Sequence, residues 1–183
     1  MTADFTADFH FSTTPEADAL VRRACHRLLP DCIGVSRATP QEDRSGVDYW
    51  IATPRGRLSL DLKLRRRDYR ARSGGLDCVI ELDGHGCSGW LLKAGAADLL
   101  LFATADSHKC ALFRTRELRT ALLLNLSRWV MSGRAKEITT ESTHAGRTWL
   151  NRAVIVDADL IWQAIDQLDG TESDAAANDG MAA

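Results

Sequence analysis

The sequence predicts an α/β (α+β) domain in which a central mixed β-sheet is flanked by helices. Three observations carry this prediction: a strand-rich first half, a helix ahead of it, and later helices separated by strands. The chain has 183 residues, 45% hydrophobic and 26% charged, which is typical of globular domains. We predict an N-terminal extension over 1–14, a single domain over 15–168 and a disordered acidic tail over 169–183.

The first half of the chain predicts one helix followed by strands. A helix is expected over 15–29, because Thr14 can cap it, Pro15 suits its first turn and Pro30 ends it. Runs of apolar residues bounded by turn residues predict the strands that follow. These strands cover 32–37, 47–53, 57–67 and 78–82.

The second half predicts helices that alternate with strands. Helices are expected over 90–97, 115–131 and 159–168, and strands over 99–103, 110–113 and 149–156. The polar stretch 134–148 lacks a clear period and predicts irregular structure.

The composition and the N-terminus also bear on compartment. Residues 1–11 hold neither a basic nor an apolar segment, so no signal peptide is predicted. No apolar stretch is long enough to cross a membrane, so no membrane partner is expected. The five cysteines form no C-x-x-C pair, which favours reduced thiols and a cytoplasmic protein.

The strand over 57–67 alternates leucines with polar residues, so all its charged groups share one face. If 54–55 form the turn before it, Thr53 faces Gly56. The same register then puts Asp48 directly across from Asp61 on the polar face.

Two adjacent carboxylates repel each other unless a cation joins them. Mg²⁺ prefers oxygen ligands, so Asp48, Asp61 and the carbonyl oxygen of Leu62 form a candidate magnesium site. Lys63 shares the face of Asp61 and can orient a water molecule or stabilise charge on phosphorus. This set favours metal-assisted phosphodiester hydrolysis, and an ordinary cross-strand ion pair on a surface hairpin is the alternative interpretation.

This pattern resembles the PD-(D/E)XK nuclease superfamily. The resemblance depends on Asp48 followed by Asp61-Leu62-Lys63, in the order helix, strand, acidic strand and D-x-K strand. It is nearest to small phage-type and Holliday-junction-resolvase-like members, which also have an Ala-Asp before a buried strand, as in Ala97-Asp98-Leu99. The resemblance implies a restriction-endonuclease-like core and a Mg²⁺-dependent (or Mn²⁺-dependent) endodeoxyribonuclease.

The resemblance also implies roles for individual residues. Asp48 and Asp61 would bind the metal, and Lys63 would be the catalytic lysine. Glu16 matches the family's first-helix acid as a further ligand, and Glu81 on the next strand is the alternative. Val47 stands where the family has proline.

The formal net charge of −2 conceals a basic segment over 55–72. Clusters of this kind bind phosphate backbones, so DNA, including branched DNA, is the expected partner. A homodimer is compatible with cutting two strands. A solvated edge strand is the alternative explanation of the charge. The nucleic-acid-binding candidates are Arg55, Arg57, Arg65, Arg66, Arg67, Arg70 and Arg72.

Two other functions remain open from the sequence. One is a catalytically inactive member of the same fold that binds nucleic acid or protein. The other is a dinucleotide-binding enzyme, because Gly84–Gly89 matches G-x-G-x-x-G and Asp106 follows at the spacing of a ribose-binding acid. The pairs His85/Cys87 and His108/Cys110 raise a zinc site as a weaker alternative.

Overall fold

A computed structural model of the chain describes residues 11–66, 74–84, 87–89, 97–144 and 147–179. Helices and strands alternate along it, and most of the predicted elements are present. In chain order they are α1 (Pro15–Leu28), β1 (Gly34–Arg37), α2 (Pro40–Arg44), β2 (Tyr49–Thr53), β3 (Gly56–Arg65), β4 (Asp77–Gly84), β5 (Cys87–Ser88), β6 (Leu99–Thr104), β7 (Cys110–Arg114), α3 (Thr115–Met131), β8 (Ala135–His144), β9 (Arg147–Asp157) and α4 (Ala158–Asp179).

The first sheet has the strand order β1-β2-β3-β6-β7 in the described part of the chain. Strands β1, β2 and β3 form an antiparallel meander, β6 runs parallel to β3, and β7 returns antiparallel to β6. This arrangement confirms the predicted α/β class with a mixed sheet. The parallel pair matters for function, because two strand ends then open on the same edge of the sheet.

A second sheet has the order β5-β4-β9-β8 among the described residues. Strand β8 falls in the stretch 134–148, for which irregular structure was the wrong prediction. It pairs with β9 from Ala135↔Val156 to His144↔Arg147. Its threonines and isoleucine suit a strand, but of its first five residues only Ala135 is buried. Pairing with β9, rather than an apolar pattern, therefore accounts for this strand.

Separate hydrophobic clusters cover the two faces of the first sheet. On one face, α1 packs Val21 and Cys25 against Leu60 and Leu101. On the other, α3, α4 and the second sheet pack around a cluster that includes Phe102. Leucines of β3 alternate as predicted, so its intervening residues face away from α1.

The ends and loops differ from the predictions in two places. Helix α4 continues to Asp179, well into the stretch predicted to be a disordered tail, which is rich in alanine, a strong helix former. Helix α2 forms in the polar connection before β2 because Thr39 and Glu42 make a capping box. The predicted helix over 90–97 lies almost wholly outside the described residues. None of the helices in the described ranges is long and apolar enough to span a membrane.

Candidate metal-binding site on strands β2 and β3

The β2–β3 hairpin brings Asp48 close to Asp61. Thr53 pairs with Gly56 across the turn, and the same register continues to Tyr49 opposite Leu60, so that its extension by one residue sets Asp48 opposite Asp61. The backbone N–H of Asp48 donates to the carbonyl of Leu60 at 2.9 Å. Its Oδ2 accepts a hydrogen bond from the N–H of Leu62 at 2.6 Å. The register predicted from the sequence is therefore confirmed, and the Asp48 carboxylate is fixed against β3.

Lys63 extends the polar face of β3 by one step. Its Nζ lies 2.9 Å from Oδ2 of Asp61, and the two side chains are 33% and 17% exposed. The ion pair runs along one strand rather than between the strands of the hairpin. An ammonium group thus lies beside the two carboxylates, at a place that solvent still reaches.

Burial and neighbouring charges shift the pKa of Asp48. Burial raises the pKa of Asp48 to about 7, and the nearby charge of Asp61 adds to the rise. The hydrogen bond from the Leu62 amide and the charge of Lys63 lower the pKa of Asp48, but they do not outweigh the burial. Asp48 therefore favours a positive charge near its carboxylate, and a divalent cation between Asp48 and Asp61 would supply one.

The protein groups present supply only part of a metal coordination shell. Asp48 and Asp61 offer carboxylate oxygens, and Leu62 offers a carbonyl oxygen on the same strand as Asp61. Among the described residues, no group of three or more His, Cys, Asp and Glu side chains is arranged to hold a metal ion. Mg²⁺ usually keeps several water ligands and binds through one or two carboxylates plus phosphate oxygens, so these groups suit Mg²⁺ better than zinc.

Two additional candidate ligands belong to other elements. Glu16 belongs to α1, which packs on the face of Leu60, opposite to Asp61. Glu81 belongs to β4 in the second sheet. Within the described ranges neither joins a group of three or more His, Cys, Asp and Glu side chains arranged to hold a metal ion, so their roles as ligands stay predictions.

The basic candidates divide between the two faces of β3. The guanidinium of Arg57 lies 4.4 Å from the ring centroid of Trp50, on the face of Asp61. Arg65 occupies the same face at the far end of β3, whereas Arg66 lines a cavity beside α1. Arg55 is exposed at the hairpin turn. Arg67, Arg70 and Arg72 lie outside the described residues.

Asp98, which the sequence indicates only through the family resemblance and not as a site residue, anchors β3 next to the site. Asp98, directly before β6, accepts hydrogen bonds from both the N–H and the hydroxyl of Ser59 at 2.8 Å. The hydroxyl of Ser59 in turn accepts from the N–H of Asp98 at 2.9 Å. This three-bond contact joins β3 to β6 two residues before Asp61. The Ala-Asp pair before a buried strand was the available signal.

The glycine-rich segment has a structural role in a hairpin. Strand β5 follows directly and pairs antiparallel with β4, Gly84 opposite Cys87. Gly89 donates to the carbonyl of Leu82 at 2.9 Å, and a Cβ on Gly89 would lie 2.1 Å from the carbonyl oxygen of Glu81. A dinucleotide site would need a helix that begins after this segment, and residues 90–96 lie outside the described residues, so this alternative stays a prediction. His85 lies outside the described residues.

Comparisons with known proteins leave the geometry as the basis for a functional conclusion. No protein-family model, no curated protein and no solved structure matches the chain.

Proposed function

We propose that this chain is a metal-dependent nuclease that hydrolyses phosphodiester bonds in DNA. Asp48 and Asp61 hold Mg²⁺ or Mn²⁺, and Lys63 assists the attacking water. The observation that supports the proposal most strongly is the placement of Asp48 opposite Asp61, with the Lys63 ammonium 2.9 Å from the Asp61 carboxylate. Opposed carboxylates can hold a metal ion that assists attack on phosphorus, and a lysine on the same face of the sheet can stabilise the charge that develops there.

Each residue has a separate part in the proposed reaction. A cation held by Asp48 and Asp61 would supply Lewis-acid stabilisation of the phosphate. The Leu62 amide holds the Asp48 carboxylate in place, so its orientation is set before the substrate arrives. The Lys63 ammonium donates hydrogen bonds to the attacking water or to a phosphate oxygen. The water oxygen bonds to phosphorus as the bond from phosphorus to the leaving oxygen breaks. The proton of the attacking water passes to solvent, which reaches the site, and the leaving oxygen takes a proton from solvent.

The fold and the charge give further support. The mixed sheet with helices on both faces is compatible with the restriction-endonuclease-like core that the motif suggests. Arg57 and Arg65 lie on the same strand face as Asp61, on either side of it. Cations in these positions can contact the phosphates of a DNA strand that runs along β3. A resolvase-like activity on branched DNA and a homodimer that cuts two strands both belong to this proposal.

Plasmid cleavage tests the proposal directly. With Mg²⁺ or Mn²⁺ the purified protein is expected to nick supercoiled DNA, and Asp61→Ala or Lys63→Ala is expected to lower the rate about 100-fold or more. Lys136→Ala, an exposed lysine on β8, is the matched control and should cut normally. Supercoiled, linear and branched DNA that all remain intact with either metal would overturn the proposal.

A binding module without catalysis is the second candidate. Asp61 is already neutralised by Lys63, so these two charges are satisfied without a metal. On this alternative the protein would retard DNA in a gel with the same affinity in EDTA as in Mg²⁺. The nuclease proposal predicts instead that Mg²⁺ or Ca²⁺ tightens binding of an uncut substrate.

A further inference from the structure

A cavity of about 530 Å³ lies on the side of the first sheet opposite to Asp61. Helix α1 forms one wall, where Ala19 and Leu20 provide apolar surface beside Phe11. Arg23 and Arg66 also line the cavity. The volume falls within the range of about 300–1,000 Å³ that is usual for small-molecule sites.

The cavity is located at the edge of the sheet where the parallel strands β3 and β6 end. Beyond these strands the pairing continues, since Ala105 donates to the carbonyl of Arg65 at 2.8 Å and Asp106 donates to that of Arg66 at 3.2 Å. The residues that follow β3 and β6 therefore form the wall opposite α1. Ligands of open sheets with parallel strands bind outside the carboxyl ends of those strands.

We propose that this cavity binds one unpaired nucleotide. The apolar wall with Phe11 offers a surface on which a base can stack, and Arg23 and Arg66 suit its phosphate. Glu16 and Asp106 also line the cavity, and carboxylates at these positions can accept hydrogen bonds from amino groups of the base. The volume of the cavity is sufficient for a single nucleotide.

The identity of the ligand rests on the proposed nuclease function. The cavity in turn specifies which kind of DNA that nuclease prefers. Residues two apart on a strand are roughly 7 Å apart, so Arg65 lies about 13 Å from Asp61 along β3. A DNA strand that is cut at Asp61 and follows β3 passes Lys63 and Arg65 and reaches the cavity within a few nucleotides. The preferred substrate is therefore DNA with an unpaired segment near the cut, such as an overhang, a flap or a fork.

Binding measurements on the full chain test the cavity. The Asp61→Asn variant, with Ca²⁺ in place of Mg²⁺, is titrated with a labelled blunt duplex and with the same duplex carrying a short single-stranded overhang. We expect the overhang to tighten binding about tenfold, equivalent to roughly 1.4 kcal/mol. Adding Ala19→Trp, which fills the cavity, or Arg66→Glu should abolish this gain. Adding Arg128→Glu, an exposed arginine on α3, should preserve it.

The outcomes distinguish this inference from the nuclease function. Equal affinity for blunt and overhang DNA, or a gain that survives Ala19→Trp in a protein of unchanged circular dichroism, overturns the cavity proposal even if plasmid is cut. In a third outcome, a nucleoside monophosphate binds the wild type but not the Ala19→Trp variant, while the protein cuts no DNA and gains no affinity from an overhang. This result supports the cavity as a site for a free nucleotide and overturns the link to DNA.

Discussion

Asp18 and Asp48 are two partly buried carboxylates near Tyr49, on opposite faces of the same sheet, and their surroundings differ. Asp18 accepts hydrogen bonds from the Tyr49 hydroxyl at 2.6 Å and from Nε of Arg37 at 3.1 Å. Burial raises the pKa of Asp18, but these hydrogen bonds and the charge of Arg37 outweigh it, so the pKa is lowered overall. Burial instead raises the pKa of Asp48 to about 7, and Asp61 adds to this rise.

The contrast separates a carboxylate with a structural role, Asp18, from the proposed metal ligand Asp48. Asp18 connects α1 to β1 and β2 and has a cation and a hydroxyl as partners. Asp48 has one backbone amide as its hydrogen-bond donor and another carboxylate opposite. Proteins retain such unfavourable arrangements mainly where a site requires them. We therefore expect the proposed metal site, on the face of the first sheet away from α1, to lower the free energy of unfolding.

The largest expected effect separates activity from stability. Asp61→Asn should reduce plasmid nicking about 100-fold or more while the midpoint of thermal unfolding falls little. Asp18→Asn should do the opposite, with a lower midpoint and a normal rate per folded molecule. The comparison fails if both variants lose activity in proportion to stability.

The Asp18 network should be visible in the pH dependence of stability. Because the pKa of Asp18 is lower in the folded chain than its usual 3.8, its contribution is complete above that value and disappears as pH falls through the folded pKa. Asp18→Asn should cost about 1 kcal/mol at pH 7, a value reduced by the partial exposure of the pair. Urea unfolding at pH 7 and pH 3 measures it, and an equal cost at both pH values would contradict the account.

The opposite sign is expected for Asp48. Its pKa is higher in the folded chain than when unfolded, so its ionisation costs stability as pH rises from about 4 to about 7. Asp48→Asn, which keeps an oxygen acceptor for Leu62, should stabilise the protein on the order of 1–3 kcal/mol at pH 8. At pH 3 the gain should vanish. Mg²⁺ should raise the unfolding midpoint of the wild type and leave that of the variant unchanged.

The smallest effect concerns Arg57. Arg57→Ala should weaken binding of all DNA sequences alike and reduce the slope of log affinity against log salt concentration by about 1, as expected for one phosphate contact. Gel shifts over a range of NaCl concentrations measure the slope, with Arg128→Ala as the control. An unchanged slope would mean that the stack of Arg57 on Trp50 is purely structural.

Much of the candidate site could be predicted from local sequence. The alternation of leucines on β3 and the turn at 54–55 place Asp61 and Lys63 on one face and Asp48 opposite, and the β2–β3 register agrees. The bounds of α3, predicted over 115–131, also agree. These features depend on contacts between residues close in the chain, where periodicity and turn residues carry the information.

Contacts between distant segments were decided only by the tertiary structure. The sequence gives no sign that α1 covers the face opposite Asp61, so the motif alone grouped Glu16 with the site. Pairing with β9 made a strand of 135–144 without an apolar period. Asp18, Arg37 and Tyr49 meet from three separate elements. By itself the sequence determined the fold class and a hairpin with the proposed catalytic groups. The faces of the sheet that the helices cover, and the cavity at its edge, depend on long-range packing that no local pattern records.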